Sequence, residues 1–130
     1  MPEEQTGGKK KKILLIEDDL FYRKLFRDQL TRAGFEFVDA ANGIEGEDKI
    51  LTENPDIILL DLMLPRKNGF DVLSEIRKNP KTKDIPVIIL SILGQQSDID
   101  EAMSRGANGY LVKSDIRTSE VIEKINGMVS

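Results

Sequence analysis

Four short, largely apolar runs of this sequence end on residues that could carry chemistry. The acidic stretch 17–19 follows the first run, Asp61 follows the second, and the later two lead into Ser91 and Lys113. Carboxylates that converge repel one another unless a proton or a cation neutralises them. If the fold brings these positions together, they form an oxygen-rich site for a hard divalent ion, with one lysine beside it.

The composition narrows that chemistry. The 130 residues include no cysteine and no histidine, so disulfides, thiolate nucleophiles and the commonest general base are excluded. Catalysis would have to use carboxylates, hydroxyls, lysine or a hard metal ion. Mg²⁺ accepts one or two carboxylates, keeps several waters and completes its octahedron with phosphate oxygens, whereas Ca²⁺ requires a fuller protein cage. The site therefore predicts phosphoryl chemistry.

Asp61 is the central candidate for a nucleophile. A carboxylate at the end of a strand can attack phosphorus to give an acyl phosphate when cations offset the charge on the other phosphoryl oxygens. Lys113 would supply a positive charge beside the metal ion, and Ser91 would donate a hydrogen bond to a phosphoryl oxygen. These three side chains thus have separate predicted roles.

Length and charge indicate one acidic domain. The chain is too short for two domains of ordinary size, and no apolar run is long enough to cross a bilayer. The N-terminus shows no secretory signal, so we expect a cytoplasmic protein without a membrane partner. The net charge is −4, and the part that follows the lysine-rich first twelve residues carries −6, which argues against direct nucleic-acid binding. We expect a flexible tail at 1–11 and one domain at 12–130.

The apolar runs predict a parallel β-sheet. The runs at 13–16, 57–60 and 87–90 are apolar without alternation, which is typical of strands covered on both faces. The more mixed segments 35–39 and 109–112 fit strands nearer the sheet edges. Five strands are therefore expected.

Segments with helical spacing separate the strands, which predicts a doubly wound α/β fold. Gly34 and Gly106 stand where a helix C-terminus needs a left-handed residue. In such folds ligands bind outside the carboxyl ends of the strands, where all four candidate positions would meet. The predicted helices cover residues 20–33, 43–53, 70–78, 95–105 and 118–128.

Four segments, in this order, resemble the receiver domains of bacterial response regulators, over roughly residues 12–128. The segment around Asp61 is the most specific, because it is similar to the family's phosphoacceptor segment. The four segments are ILLIEDD at 13–19, DIILLDLMLP at 56–65 with Asn68-Gly69 after it, PVIILS at 86–91 and GANGYLVK at 106–113.

The resemblance implies a flavodoxin-like fold with strand order 2-1-3-4-5 and a role in two-component signalling. In that family a phosphohistidine on a sensor histidine kinase, or on a histidine phosphotransfer protein, donates its phosphoryl group to the aspartate. Asp18 would be the preferred direct Mg²⁺ ligand. The implied Mg²⁺ site comprises Glu17, Asp18, Asp61 and the backbone carbonyl of Met63.

The family also implies a conformational switch. Ser91 would move towards the phosphate, and Tyr110 would turn inward into the released space. The surface around the fourth helix, fifth strand and fifth helix would then bind a downstream protein target. The domain would catalyse only its own phosphorylation and dephosphorylation, so we do not expect an enzyme acting on other substrates.

Several positions depart from the family pattern. Ser114 follows Lys113 where proline is usual, so no cis peptide bond is expected there. Ile92 replaces a small residue, and Met63 and Leu93 occupy positions that influence how water reaches the phosphoaspartate. We therefore predict slow self-dephosphorylation.

The second helix is expected to have low local stability. Gly43 and Gly46 weaken it, and Glu47 stands where an apolar residue is usual.

Other interpretations remain open at this stage. Asp19 could cap the first helix, whose Phe21, Leu25 and Leu30 indicate core packing and no chemistry. A haloacid-dehalogenase-type phosphohydrolase is an alternative enzyme class, although Met63 stands where its second aspartate would be. A receiver that serves only as an interaction module is the third possibility.

Overall fold

Strands and helices alternate along residues 10–129, the part of the chain that the computed structural model describes. Each element lies within one residue of its predicted bounds. A short 3-10 turn, Lys113–Asp115, follows the last strand. The elements are β1 (Lys12–Ile16), α1 (Leu20–Arg32), β2 (Glu36–Ala40), α2 (Gly43–Glu53), β3 (Ile57–Leu60), α3 (Gly69–Lys78), β4 (Val87–Ser91), α4 (Gln96–Ser104), β5 (Gly109–Val112) and α5 (Thr118–Val129).

The five strands form one parallel sheet in the order β2-β1-β3-β4-β5, which confirms the predicted fold class. The register aligns Ile16 with Leu60 across β1 and β3, and Ser91 with Val112 across β4 and β5. The carboxyl ends of these strands therefore lie at one edge of the sheet. Within residues 10–129, no helix is long and apolar enough to cross a membrane.

Helices cover both faces of the sheet. Successive side chains of a strand point to opposite faces. Accordingly, Ile13 and Leu15 pack with the buried side of α1 and α5, whereas Leu14 and Ile16 pack with α2, α3 and α4. All four side chains are fully buried. This two-sided burial explains why β1, β3 and β4 are apolar throughout.

Glycines close α1 and α4 with Schellman motifs, as their positions predicted. Gly34 has φ +96° and donates to the carbonyl of Thr31, while the next N–H, of Phe35, donates to Leu30. Gly106, with φ +106°, closes α4 in the same way. Because Phe35 belongs to this motif, β2 begins one residue later than the sequence predicted.

Polar side chains cap the helices that begin at the carboxyl edge of the sheet. The Asp19 carboxylate accepts a hydrogen bond of 2.8 Å from the N–H of Phe21, so the capping role considered for Asp19 is confirmed. Asn42 caps α2 and Asn68 caps α3 in the same manner.

The glycines of α2 allow close packing at two points. A Cβ on Gly43 would lie 2.1 Å from the carbonyl oxygen of Lys67, and one on Gly46 would lie 2.7 Å from Ile16 Cδ1. Glu47 forms a 2.6 Å ion pair with the Lys67 ammonium group instead of packing as an apolar residue would. The low local stability of α2 stays a prediction.

The attachments of α4 differ between its two ends. Gln95, at the N-terminus, provides no side-chain capping hydrogen bond. At the C-terminus, Arg105 contacts the Ser74 hydroxyl of α3 at 3.1 Å, and the carbonyl of Gly106 accepts a 2.9 Å bond from Arg77. The C-terminal end of α4 is therefore bonded to α3, whereas at its N-terminal end residues 10–129 show no side-chain capping bond.

The loop after β3 folds back tightly on α3. The Gly69 N–H donates to the Leu62 carbonyl at 2.9 Å. A Cβ on Gly69 would lie 2.2 Å from the Asp61 carbonyl oxygen and 2.6 Å from Leu62 Cα. Only glycine fits here without moving the backbone that carries Asp61.

Replacing Gly69 with alanine should destabilise the domain by about 2–3 kcal/mol, because the added methyl group meets backbone atoms that cannot rotate away. Gly127→Ala in α5 is the matched control, since nothing lies within 4 Å of a Cβ added there. Alanine's helix propensity should raise stability at that site by up to about 1 kcal/mol. Urea unfolding measures both effects, and equal losses in the two variants would contradict the close packing at Gly69.

Candidate functional site

Three charged side chains meet at the carboxyl edge of the sheet. Glu17 follows β1, Asp61 follows β3 and Lys113 follows β5, and their exposed fractions are only 1%, 4% and 8%. The Lys113 ammonium group contacts Glu17 Oε1 and lies 3.2 Å from Asp61 Oδ2. The backbone fixes Asp61 as well, since its N–H donates to the Ile16 carbonyl at 3.0 Å. The sheet therefore brings together residues that are up to 96 positions apart in the sequence.

Burial and ion pairing have opposite effects on the pKa values of Glu17 and Lys113. Burial raises the pKa of Glu17 to about 7, although the hydrogen bonds from Lys113 and from the Asp19 N–H act to lower it. Burial also acts to lower the pKa of Lys113, but the hydrogen bond with Glu17 and the charge of Asp61 raise it above its ordinary value. Lys113 thus stays cationic, and one ammonium group faces two carboxyl groups.

The acidic cluster fits a magnesium ion. Carboxylate oxygens of Glu17, Asp18 and Asp61 all lie within 4.8 Å of one another, and the Asp18 side chain is exposed. An octahedron with bonds of about 2.1 Å places its ligands roughly 3 to 4 Å apart, so the three oxygens need little movement to share one ion. The all-oxygen donor set suits Mg²⁺, and a cation here would compensate the carboxylate charge that Lys113 leaves unbalanced.

Met63 lies beside the acidic cluster. Its N–H donates to Asp61 Oδ1 at 3.2 Å, which fixes the loop against the carboxylate. Its side chain is half exposed. The role of its backbone carbonyl as a metal ligand stays a prediction.

Ser91 and Tyr110 meet at the loop after β4, where both bond to Leu93. The Ser91 hydroxyl oxygen accepts a bond of 3.2 Å from the Leu93 N–H, and the Tyr110 hydroxyl donates to the Leu93 carbonyl at 2.5 Å. These two hydrogen bonds connect Ser91 and Tyr110 through Leu93, and neither of the two bonds involves the acidic cluster. Because Ser91 accepts there, its own hydroxyl proton can be donated elsewhere.

The phenol of Tyr110 is a durable hydrogen-bond donor. Desolvation, with smaller contributions from the charges of Asp98 and Asp61, raises the pKa of Tyr110 to about 12. The side chain is half-buried. The phenol therefore stays protonated at neutral pH and can hold the Leu93 carbonyl.

The peptide bond after Lys113 agrees with the sequence prediction. No cis peptide bond occurs between residues 10 and 129, as expected from Ser114 in the place of proline. The chain turns directly into the 3-10 segment there.

Tyr22 is a site residue that the sequence analysis missed. The Lys113 ammonium group lies 4.3 Å from the centroid of its ring. The helical spacing in α1 predicted core packing and no chemistry, but Phe21, one of the residues on which that prediction rested, is 65% exposed. The available signal was position, because Tyr22 lies in the first turn of a helix that begins at the carboxyl edge, three residues after Asp19.

Comparisons with known proteins agree with this geometry. Residues 13–126 match the family model described as the response regulator receiver domain. The chemotaxis protein CheY of Thermotoga maritima is 36% identical over 118 residues, which cover 89% of this chain and 95% of that protein. The DNA-binding dual master transcriptional regulator RpaA of Synechocystis is 40% identical over 102 residues, 78% of this chain but only 42% of RpaA. The chain thus spans less than half of some relatives and nearly all of another.

Solved structures show the same architecture. The chemotaxis protein CheY4 of Vibrio cholerae superposes with a TM-score of 0.86 and 25% identity, covering 92% of this chain and 99% of that structure. The BeF3-activated N-terminal receiver domain of Klebsiella pneumoniae RstA gives a TM-score of 0.85 at 25% identity, covering 92% and 98%. The chain belongs to the response regulator receiver domain family of two-component signalling proteins.

Proposed function

We propose that this domain is a phosphorylation switch whose phosphoryl acceptor is Asp61. The proposal rests on one observation. The Lys113 ammonium group contacts both Asp61 and Glu17, which belong to the acidic cluster. A carboxylate with a fixed cation on one oxygen and a backbone N–H on the other is oriented for attack. Lys113 can stay with the transferred group, where it stabilises the charge on the phosphoryl oxygens.

The donor would be a phosphohistidine on a sensor histidine kinase or on a histidine phosphotransfer protein. One Asp61 carboxylate oxygen forms a bond to phosphorus while the bond between phosphorus and the histidine nitrogen breaks. The electron pair of that bond leaves with the imidazole. The product is an acyl phosphate on Asp61, and the histidine is restored.

Magnesium is the cofactor that we assign to the acidic cluster. Asp18 and Asp61 would hold it directly, with the Met63 carbonyl, and Glu17 would act beside them. When bound, the ion supplies positive charge against the phosphoryl oxygens. Lys113 supplies charge from the other side, and Ser91 supplies a hydrogen bond.

The output surface is the face formed by α4, β5 and α5. Ser91 and Tyr110 share Leu93 as their partner, so a shift of Ser91 towards a phosphoryl group would disturb the bond that Tyr110 makes. A downstream protein would bind the altered face. We infer that the protein is cytoplasmic and acts on no external substrate. We also infer that this domain makes no direct contact with nucleic acid, because the charge after the first twelve residues is −6.

Incubation with Mg²⁺ and acetyl phosphate should add one phosphoryl group to the domain. Intact-mass spectrometry measures the adduct, which should be absent from Asp61→Asn and from a metal-free control. An unmodified but folded wild type would instead favour a receiver that serves only as an interaction module. Rapid multiple turnover of the donor would favour a phosphohydrolase.

Asp18→Asn should weaken Mg²⁺ binding at least about tenfold, because it removes one charged ligand from the cluster. Isothermal titration calorimetry with MgCl₂ measures the change. Asp48→Asn is the matched control, since it makes the same charge change at an exposed position of α2. Equal Kd values for the two variants would remove Asp18 from the magnesium site.

The phosphorylated domain should lose its phosphoryl group slowly, with a half-life of many minutes. The reason is that Met63 and Leu93 occupy the two positions that in this family influence how water reaches the phosphoaspartate, and both carry apolar side chains that cannot orient the attacking water. Met63→Asn should accelerate the loss, whereas Met103→Asn, at an exposed position of α4, should not. Time-resolved intact-mass measurements follow the decay. A wild-type half-life of seconds would contradict this prediction.

A further inference from the structure

Two carboxyl groups and one aromatic ring contact the Lys113 ammonium group. An ammonium group has three N–H donors and accepts nothing. Two directions are taken by Glu17 and Asp61, and the ring of Tyr22 lies against a further side, 4.3 Å from Nζ to the centroid. The face of an aromatic ring carries partial negative charge, so it attracts the cation. Tyr22 thus contributes to the placement of Lys113 without an oxygen acceptor.

The Tyr22 ring belongs to an aromatic cluster in the first two turns of α1. It stacks on Phe26 with 6.4 Å between centroids and an interplanar angle of 19°, and Phe21 meets it edge-on at 5.3 Å. The start of α1 is also fixed, because the Asp19 N–H donates to Glu17 Oε2 at 3.0 Å. The ring and one of the carboxylates that hold Lys113 therefore belong to a single ordered segment.

An aromatic ring suits a cation that must change partners. Lys113 has a flexible four-carbon stem that begins at the end of β5. During phosphoryl transfer its ammonium group must move from carboxylate oxygens to phosphoryl oxygens. A third carboxylate in the place of Tyr22 would oppose this movement by binding the ammonium group, and an aliphatic side chain there would not attract the ammonium group. A ring face attracts the ammonium group over a broad area and lets it shift sideways.

We propose that Tyr22 is a positioning residue for Lys113, and that its ring face keeps the ammonium group poised over Asp61 for phosphoryl transfer. The inference rests on the proposed phosphorylation of Asp61 and adds a residue of α1 to that reaction. The ring, not the phenol oxygen, does the positioning. Phenylalanine should therefore replace Tyr22, whereas leucine should not.

The test compares Tyr22→Leu, Tyr22→Phe and Phe26→Leu in the whole chain. Phe26→Leu is the packing control, because it alters the buried aromatic stack but keeps both the Tyr22 ring, which Lys113 contacts, and an apolar side chain beside that ring. The rate of phosphorylation by acetyl phosphate with saturating Mg²⁺ should fall about tenfold in Tyr22→Leu, as expected for a desolvated cation–π contact. Tyr22→Phe and Phe26→Leu should react at close to the wild-type rate.

A second measurement reports the contact without any phosphorylation. The ring should shift the NMR signals of the Lys113 ε-methylene group upfield, and Lys113→Arg identifies those signals by their loss. The shift should persist in Tyr22→Phe and disappear in Tyr22→Leu. Thermal unfolding of each variant confirms that it is folded at the assay temperature.

Two results would overturn the inference. One is a folded Tyr22→Leu variant that is phosphorylated as fast as the wild type. The other is an equal slowing in Tyr22→Leu and Phe26→Leu, which would reduce Tyr22 to a packing residue. A wild type that takes up no phosphoryl group would instead refute the proposed function, and this result is known before any variant is compared. In that case the methylene shift still reports whether the Tyr22 ring contacts Lys113.

Discussion

The buried ion pairs of Lys113 are the interaction on which the carboxyl edge of the sheet depends. The register of β1 and β3 places Glu17 and Asp61 side by side and almost fully buried, where two carboxylates repel each other. Removing one partner from such a buried pair typically costs about 3–5 kcal/mol, because a charge is left uncompensated. A single lysine, which follows β5, makes the arrangement tolerable, yet one ammonium group cannot balance two carboxylates.

Tight backbone packing fixes the loop that carries Asp61. The loop after β3 lies against Gly69 on one side and, through Lys67, against Gly43 on the other. Neither glycine position can accept a side chain without displacing a backbone carbonyl. The Asp61 carboxylate is therefore oriented by close contacts of the main chain as much as by its hydrogen bonds, which is how a rigid scaffold can hold a reactive group in one geometry.

The sequence predicted the fold almost completely, because its signals are local or periodic. Unbroken apolar runs identified the three central strands, and Gly34 identified the end of α1. The acidic residues and Lys113 followed from the rule that strand ends share an edge. Contacts between side chains of different elements carry no such periodic signal. Tyr22 beside Lys113, and Leu93 as the common partner of Ser91 and Tyr110, therefore required the structure.

The unequal attachment of α4 has a mechanical consequence. Its C-terminal end is fastened to α3 through Arg105 and, by way of the Gly106 carbonyl, through Arg77, whereas Gln95 leaves the other end without a side-chain cap. Because Leu93 lies three residues before α4 begins, the less restrained end of the helix adjoins the hydrogen bonds of Ser91 and Tyr110, whereas the bonded end lies away from them.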